Sequence, residues 1–205
     1  MVAENRIFEK TYRDYLSQIG SMDLSAAAKK AGLDFVDNAL IIPLLGERLC
    51  VSDNGIYDSS GGQPGFDVCV ILSRYVLMSM DDKPDVKGWT AFRDLKNSGP
   101  LETYFRNDVE AAIKNFFTGK TGLLKKASDL LNAIVPSMEL NYDLAVEIAL
   151  LPGLPAIIIF NDADEEFPAS CSVLFDGNAE SWLDAESLAM LGRLLFIKLK
   201  KLSSL

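Results

Sequence analysis

The stretch from Tyr142 to Phe175 constrains the fold of this 205-residue chain more than any other part of the sequence. It begins with large apolar residues at every second position, a period typical of a β-strand that buries one face. These residues are Tyr142, Leu144, Val146, Ile148 and Leu150. Two further apolar runs, 156–160 and 169–175, follow after short connections, so the order predicts an antiparallel meander of three strands. We expect the five alternating residues to share one buried sheet face.

Amphipathic helices are predicted on either side of this meander. Apolar residues recur at three- and four-residue spacing from Phe8 to Ile19, and Gly20 ends that helix. A second helix is predicted from Asp23 to Gly32, because the aspartate can accept hydrogen bonds from the first backbone N–H groups. The last helix is predicted to start at Asp184 and to run through Leu199.

A hairpin and a buried helix are predicted between these ends. Residues 39–42 and 48–51 are apolar runs that flank a turn at Gly46, which favours a β-hairpin. The run from Val68 to Met80 is apolar on nearly every side, which predicts a helix buried on several faces.

Two more amphipathic helices are predicted over 101–117 and 123–134, the second limited by Pro136. Helices therefore come first and last and consecutive strands come late. This order predicts an α+β fold with a mainly antiparallel sheet, and not alternating βαβ units.

A single domain over 1–205 is long enough to bury roughly 70% of the surface that its unfolded chain exposes. The polar loop 81–88 is the best candidate for a subdomain hinge, although it is short for a linker between independent domains.

The chain contains no histidine, and this restricts its chemistry more than any residue it does contain. Mechanisms that rest on imidazole, such as Ser-His-Asp catalysis and His-ligated zinc, are excluded. Three cysteines, Cys50, Cys69 and Cys171, lie far apart in the sequence and are odd in number, which argues against a disulfide framework. We therefore predict no cofactor, no stoichiometric transition metal and no iron–sulfur cluster.

The charge balance is acidic, with 20 Lys and Arg against 29 Asp and Glu and a formal net charge of −9. Such a field repels nucleic acid and anionic membrane surfaces, so we expect neither as a partner. The longest apolar stretch, 145–160, is interrupted by Glu147 and two prolines and is too short for a membrane span. Because the N-terminus lacks the apolar core of a signal peptide, we expect a cytoplasmic protein. A protein partner, a small molecule and a second copy of the chain stay open.

Two segments partly resemble phosphate-binding loops. The Gly-rich stretch 59–65 precedes a helix, but Asp67 would repel an anion there, which favours a flexible connection. Gly119-Lys120-Thr121 resembles the end of a P-loop, but the pattern needs a glycine where Lys114 stands, which favours a glycine that ends a helix.

Four carboxylates lie within residues 162–166, the acidic loop: Asp162, Asp164, Glu165 and Glu166. Carboxylate oxygens are ligands that Ca²⁺ and Mg²⁺ accept, but the spacing is not that of an EF-hand. A solvated, negatively charged turn between two apolar strands is the favoured interpretation.

Trp89, Phe92 and Arg93 form an aromatic and basic group after the polar loop. Such a group suits a pocket for an anionic or planar ligand, through bidentate hydrogen bonds and stacking. Alternatively, the two aromatic rings cover the sheet and Arg93 pairs with the acidic loop, which we favour. We therefore predict that Arg93 and the acidic loop are neighbours.

Several motifs in the sequence resemble those of the DUF3786 family of bacterial and archaeal proteins. They are Trp89-Thr90-Ala91-Phe92-Arg93-Asp94-Leu95, Leu151-Pro152-Gly153-Leu154-Pro155, Asp164-Glu165-Glu166-Phe167-Pro168-Ala169-Ser170 and Leu174-Phe175-Asp176. The resemblance extends from about Tyr12 to Leu199 and implies a soluble domain of about this chain's length without an assigned activity. It also implies relatives with an added cysteine-rich iron–sulfur segment, linked to corrinoid-dependent metabolism; this chain lacks that segment.

Two hypotheses for function follow. The first is a non-catalytic accessory module that presents Trp89, Arg93 and the acidic loop to a ligand or a protein partner. The second is an enzyme in which Glu165 or Glu166 acts as acid and base while Arg93 orients an anionic substrate, which requires a buried carboxylate with a raised pKa.

Overall fold

A computed structural model describes residues 2–79, 84, 86–138 and 142–205, with side chains from residue 9 onward. The helices are α1 (Val2–Gly20), α2 (Leu24–Ala31), α3 (Phe66–Met78), α4 (Glu102–Phe105), α5 (Ala111–Phe117), α6 (Thr121–Asp129), α7 (Ala179–Trp182) and α8 (Ala185–Leu202). The strands are β1 (Asp34–Val36), β2 (Ala39–Leu44), β3 (Glu47–Ser52), β4 (Gly55–Tyr57), β5 (Trp89–Ala91), β6 (Leu144–Leu151), β7 (Leu154–Asn161) and β8 (Ser170–Asp176). The hinge predicted at 81–88 falls in part on residues 81–83 and 85, which lie outside the described residues.

Two antiparallel four-stranded sheets organise the fold. The first has the strand order β1-β2-β3-β4 and the second the order β5-β8-β7-β6. Helices pack against both sheets, and the buried side chains of the two sheets belong to one hydrophobic core. The predicted α+β class, with a C-terminal antiparallel meander and helices at both ends, is confirmed.

The predicted meander is β6, β7 and β8, paired in sequence order. Four of the five alternating residues are buried as predicted: Leu144, Val146, Ile148 and Leu150. The prediction is wrong for Tyr142, which precedes β6 and is 44% exposed. The ladder ends at Leu144 because the Asn161 side chain, and not a backbone carbonyl, accepts the Asp143 N–H at 3.1 Å.

The two sheets meet at the predicted hairpin. Strands β2 and β3 are joined by Leu45 and Gly46, both at positive φ (47° and 78°), which is the twist that a two-residue hairpin needs. The Leu45 N–H donates to the Leu150 carbonyl at 2.9 Å, so the hairpin covers one part of edge strand β6. Ile134 covers another part by exchanging two backbone hydrogen bonds with Glu147. Covering an edge in this way protects it from pairing with another chain.

The helix boundaries follow local signals where a capping residue is present. Asp23 accepts the Ala26 N–H and Asp184 accepts the Ser187 N–H, so α2 and α8 begin as predicted. The helix predicted over 123–134 is shorter than expected. Helix α6 ends at Asp129, because Asn132 adopts a left-handed conformation and the chain then extends along β6.

Helix α3 lies at the centre of the molecule, as its apolar sequence predicts. Its residues Ile71, Leu72, Tyr75 and Val76 have no exposed surface. The Tyr75 hydroxyl donates to the Pro152 carbonyl at 2.8 Å, which anchors the turn between β6 and β7. No helix within the described ranges is both long and apolar enough to cross a membrane.

Candidate functional site

A cleft of about 200 Å³ opens beside β5 and β8. One wall comes from the end of β5 and the 3-10 turn after it (Phe92–Asp94), and the other from α4 and a π-helical turn (Arg106–Glu110). The lining consists of charged side chains above an apolar base. The charged residues are Arg93, Glu102, Arg106 and Glu110, and the base includes Phe92, Phe105 and Leu174.

The cleft exists because β5 is short. Its last residue, Ala91, pairs with Leu174, so none of the described strands lies beside β8 on that side from Ser170 to Val173. The Val173 N–H instead donates to Glu110 Oε1 at 3.1 Å. A side chain from the opposite wall therefore takes the place of the missing strand, which satisfies a backbone donor and leaves an opening beside it.

The helix predicted over 101–117 contains the π-helical turn, and this turn supplies two of the charged residues. Arg106 and Glu110 stand at its two ends, between α4 and α5. Val109, within the turn, is fully buried, so the same turn anchors the wall in the core. Single π-helical turns inside α-helices are frequent at functional sites.

The apolar base of the cleft is closely packed. The rings of Phe92 and Phe105 stack with centroids 4.2 Å apart, and Phe105 also contacts Phe175. On its other side Phe105 lies against Gly192 of α8, where an added Cβ would stand 2.6 Å from the ring. A glycine is required at this position because the helix and the ring approach so closely.

Both arginines of the cleft have only weak partners of their own. Arg93 lies 3.9 Å from Asp94, and Arg106 lies 3.8 Å from Glu102. Within the part of the chain that the structure describes, these are their only ion pairs, and both are too long for hydrogen bonds. The side chains are 72% and 60% exposed, so both guanidinium groups remain able to bind an added carboxylate or phosphate.

Glu110 is the half-buried acid of the cleft. Burial raises its pKa above the ordinary value, against the smaller lowering effects of the Val173 N–H and of Arg93 and Arg106. Behind it, burial and the negative charge of Glu110 raise the pKa of the Cys171 thiol. A thiol held protonated in this way is a poor nucleophile and a poor metal ligand.

The acidic loop is built differently from the cleft. Asp162 accepts the Gly119 N–H at 2.7 Å and the Thr121 hydroxyl at 2.8 Å, which ties the loop to the turn between α5 and α6. These bonds, that of Gly119 first, lower the pKa of Asp162. Gly119, at φ +72°, follows α5 and ends it as predicted, and the Gly119 N–H and the Thr121 hydroxyl bind a carboxylate of the same chain.

The rest of the acidic loop forms a tight turn. The Asp164 carboxylate accepts the N–H groups of Glu166 and Phe167, which lowers its pKa, while Glu165 and Glu166 are exposed. In the described ranges, no three or more Cys, Asp or Glu side chains are placed so as to hold a metal ion.

The predicted pairing of Arg93 with the acidic loop is wrong. Among the described residues, Arg93 makes no ion pair with any of the four carboxylates, because its side chain lines the cleft and Asp162 is bound to the α5–α6 turn. Trp89 begins β5, is half-buried and does not line the cleft.

The Gly-rich stretch 59–65 is held by hydrogen bonds to the residue that precedes it, Asp58. The Asp58 carboxylate accepts the Ser60 N–H, the Ser60 hydroxyl and the Gly62 N–H, and these bonds lower its pKa. These N–H groups, which a phosphate would need, are thus bound to a carboxylate next to them in sequence.

Sequence reasoning identified Arg93 but missed Glu102, Arg106 and Glu110. A signal was present, because these residues recur at every fourth position and therefore lie on one face of a helix. The same spacing is typical of an ordinary solvent-exposed helix face. Only the position of the helix against β8 shows that this face lines a cleft.

Fold and site together define an α+β protein that holds a charged cleft where a short edge strand ends. The chain belongs to the family described as a domain of unknown function (DUF3786), whose model matches residues 23–198. The match contains both the cleft and the acidic loop, and it confirms the resemblance found in the sequence. No curated protein and no solved structure shows a significant match to the chain.

Proposed function

We propose that this protein is a small-molecule-binding module whose cleft takes a small organic anion through Arg93 and Arg106. The observation that carries the proposal is that both arginines line one cleft and, among the described residues, have only long ion pairs. The proposal keeps the sequence-based hypothesis of a binding module. It replaces the acidic loop with α4 and the π-helical turn as the second wall of the site.

A ligand can replace the present ion-pair partners of Arg93 and Arg106 at little cost in free energy. An exposed ion pair contributes about 0–1 kcal/mol, so releasing Arg93 from Asp94 or Arg106 from Glu102 costs little. A carboxylate that meets a guanidinium in bidentate geometry gains two charge-assisted hydrogen bonds in return. A ligand that contacts both arginines therefore binds more strongly than either present partner does.

The size of the cleft limits the ligand. A volume of about 200 Å³ is below the roughly 300–1,000 Å³ of sites for drug-sized ligands, so the ligand has few atoms. The overall charge of −9 repels anions, and the two arginines must overcome this field locally. Binding is therefore expected to weaken with added salt.

Calorimetric titration of the full chain with acetate, 4-methylpentanoate and inorganic phosphate at low ionic strength tests the proposal. We expect at least one of these probes to bind, and Arg93→Ala and Arg106→Ala each to weaken it about tenfold, the loss expected for a charge-assisted pair. The matched control is Arg48→Ala, which removes an exposed arginine that pairs with Asp34 on the first sheet. Absence of binding by all three probes, or equal weakening by the control, would contradict the proposal.

One observation favours an enzyme as the second candidate. Glu110 is a half-buried carboxyl group with a raised pKa in a cleft that binds anions, and such a group suits acid–base catalysis. Glu165 and Glu166 are exposed and lack that environment. Exchange of the α-protons of a bound carboxylate for deuterium in D₂O, lost in Glu110→Gln, would support the enzyme. Binding without exchange for every probe would support the binding module.

A further inference from the structure

We infer that the ligand of the cleft is a small zwitterion, with a carboxylate held by Arg93 and Arg106 and an ammonium group held by Glu110. This inference rests on the proposed function and names the class of molecule that the same site binds. Free α-amino acids are the simplest molecules of this class.

Glu110 lies apart from the two arginines of the cleft. Among the described residues, Glu110 has no cation within 4 Å, although Arg93 and Arg106 line the same cleft. A glutamate that served only stability would be expected to form an ion pair with Arg93 or Arg106, since an unpaired buried charge is costly. Glu110 instead keeps a backbone N–H as its partner.

Glu110 keeps acceptor capacity beyond its hydrogen bond with Val173. Its Oε1 atom accepts the Val173 N–H, whereas a carboxylate offers about four acceptor sites. The charges of Arg93 in the 3-10 turn and of Arg106 in its own turn lower the pKa of Glu110, and the charge of Glu110 raises the pKa of Cys171 on β8, which Lys114 lowers. An ammonium group brings three N–H donors and a positive charge into direct contact. Among the described residues, Glu110 has one backbone N–H as a hydrogen-bond partner and no ion pair.

The charges that line the cleft balance one another. Two arginines face two glutamates, Glu102 and Glu110, so the charged groups of the cleft sum to zero. A zwitterion keeps that sum and places each of its charges beside an opposite one. A simple carboxylate leaves Glu110 without a cation and adds a negative charge to a chain that already carries −9.

The test compares amino acids with the acids that differ from them only by the amino group. Three pairs are titrated into the full chain by calorimetry at neutral pH: glycine with acetate, L-leucine with 4-methylpentanoate, and L-phenylalanine with 3-phenylpropanoate. In each pair that binds, we expect the amino acid to bind about tenfold more tightly than the acid, as for one added charge-assisted contact.

The variant Glu110→Gln tests whether Glu110 causes the preference for the amino acid over the acid. The glutamine amide oxygen can still accept the Val173 N–H, so the wall keeps its hydrogen bond while the negative charge is lost. We expect this variant to bind both members of a pair equally, with binding of the acid retained. Glu165→Gln, in the acidic loop, is the matched control and is expected to keep the preference of the wild type.

The outcomes separate this inference from the proposed function. If acids bind at the cleft and amino acids bind no more tightly, the inference is overturned and the proposed function stands. If the preference exists but Glu110→Gln leaves it unchanged, the assignment of Glu110 is overturned. If no member of any pair binds, the inference fails, and the proposed function fails with it when inorganic phosphate does not bind either.

Discussion

The acidic loop and the cleft use their carboxylates in opposite ways. In the loop, Asp162 and Asp164 are bound by N–H and hydroxyl donors of the same chain, which lowers both pKa values. In the cleft, Glu110 receives one backbone N–H and is half-buried, and its pKa is raised. The loop is dense in charge in the sequence, whereas the cleft assembles its charges from separate segments.

The difference shows what makes a carboxylate available for a ligand. Closely spaced acids on a loop can serve as acceptors for its own backbone, and Asp164 does so for Glu166 and Phe167. A single acid that leans across to a strand edge keeps part of its acceptor capacity, as Glu110 does at Val173. A high density of carboxylates in a sequence therefore does not show that these carboxylates are free to bind a ligand.

The largest contrast in stability is expected between one phenylalanine of each region. Phe105→Ala removes a buried ring that stacks on Phe92 and should lower the free energy of unfolding by about 3–5 kcal/mol. Phe167→Ala, in the turn of the acidic loop, removes a ring that is 67% exposed and should change it by less than about 0.5 kcal/mol. Urea unfolding of both variants measures the contrast, and similar losses would show that the loop is packed as firmly as the cleft.

A smaller effect is expected from a methyl group added beside the cleft. Gly192→Ala places a Cβ against the fixed Phe105 ring and should cost about 1–3 kcal/mol. Gly122→Ala adds the same methyl group in α6, where no described atom outside the helix's own backbone and the two neighbouring residues lies within 4 Å, and should stabilise the protein by about 0.5–1 kcal/mol. Thermal melts of the two variants in parallel check that the first change lowers stability and the second raises it. A stable Gly192→Ala protein would mean that the base of the cleft can move.

Within the acidic loop, only the acids that make hydrogen bonds should matter for stability. Asp162→Ala removes the acceptor for Gly119 and Thr121 and should cost about 1 kcal/mol, a typical net value for a hydrogen bond. Glu165→Ala removes an exposed charge that makes no such bond and should leave the unfolding curve unchanged. An equal effect of both changes would argue that repulsion among the acids, and not capping, governs the loop.

The pH dependence of stability should have opposite signs in the two regions. The pKa of Glu110 is raised above 4.5, so its contribution to stability is complete below that value and is lost as the pH rises through the folded-state pKa. The pKa of Asp162 is lowered below 3.8, so its contribution is present above that value and is lost as the pH falls. The free energy of unfolding is measured across the acid pH range for wild type, Glu110→Gln and Asp162→Asn. The difference between wild type and each variant should therefore change with pH in opposite directions for the two variants. Parallel slopes would contradict the comparison.

Much of the fold could be predicted because its signals are local. The caps at Asp23 and Asp184, the Gly46 hairpin and the alternation from Leu144 to Leu150 each lie within one short segment. Tyr142 was assigned wrongly because the alternation continues in the sequence beyond the point where β7 offers a backbone partner. A period indicates a strand, but the neighbouring strand determines where it ends.

The cleft could be predicted only in part because its parts are distant in the sequence. Arg93 was recognisable beside two aromatic residues, but the position of Glu110 depends on where β5 stops against β8. A strand of three residues has too little pattern to be recognised, and its pairing partner lies in a different part of the chain. The π-helical turn at 106–110 likewise gives no composition signal of its own.

The most direct test of the account is a map of amide chemical shifts of the ¹⁵N-labelled chain during titration with 4-methylpentanoate. We predict that the amides that move are those of Ala91, Arg93, the π-helical turn 106–110 and Val173, whose N–H reports on Glu110. The amides of the acidic loop should stay in place, because their donors and acceptors already bind one another. Shifts confined to 162–168, with the cleft unchanged, would contradict the central claim that the cleft is the binding site.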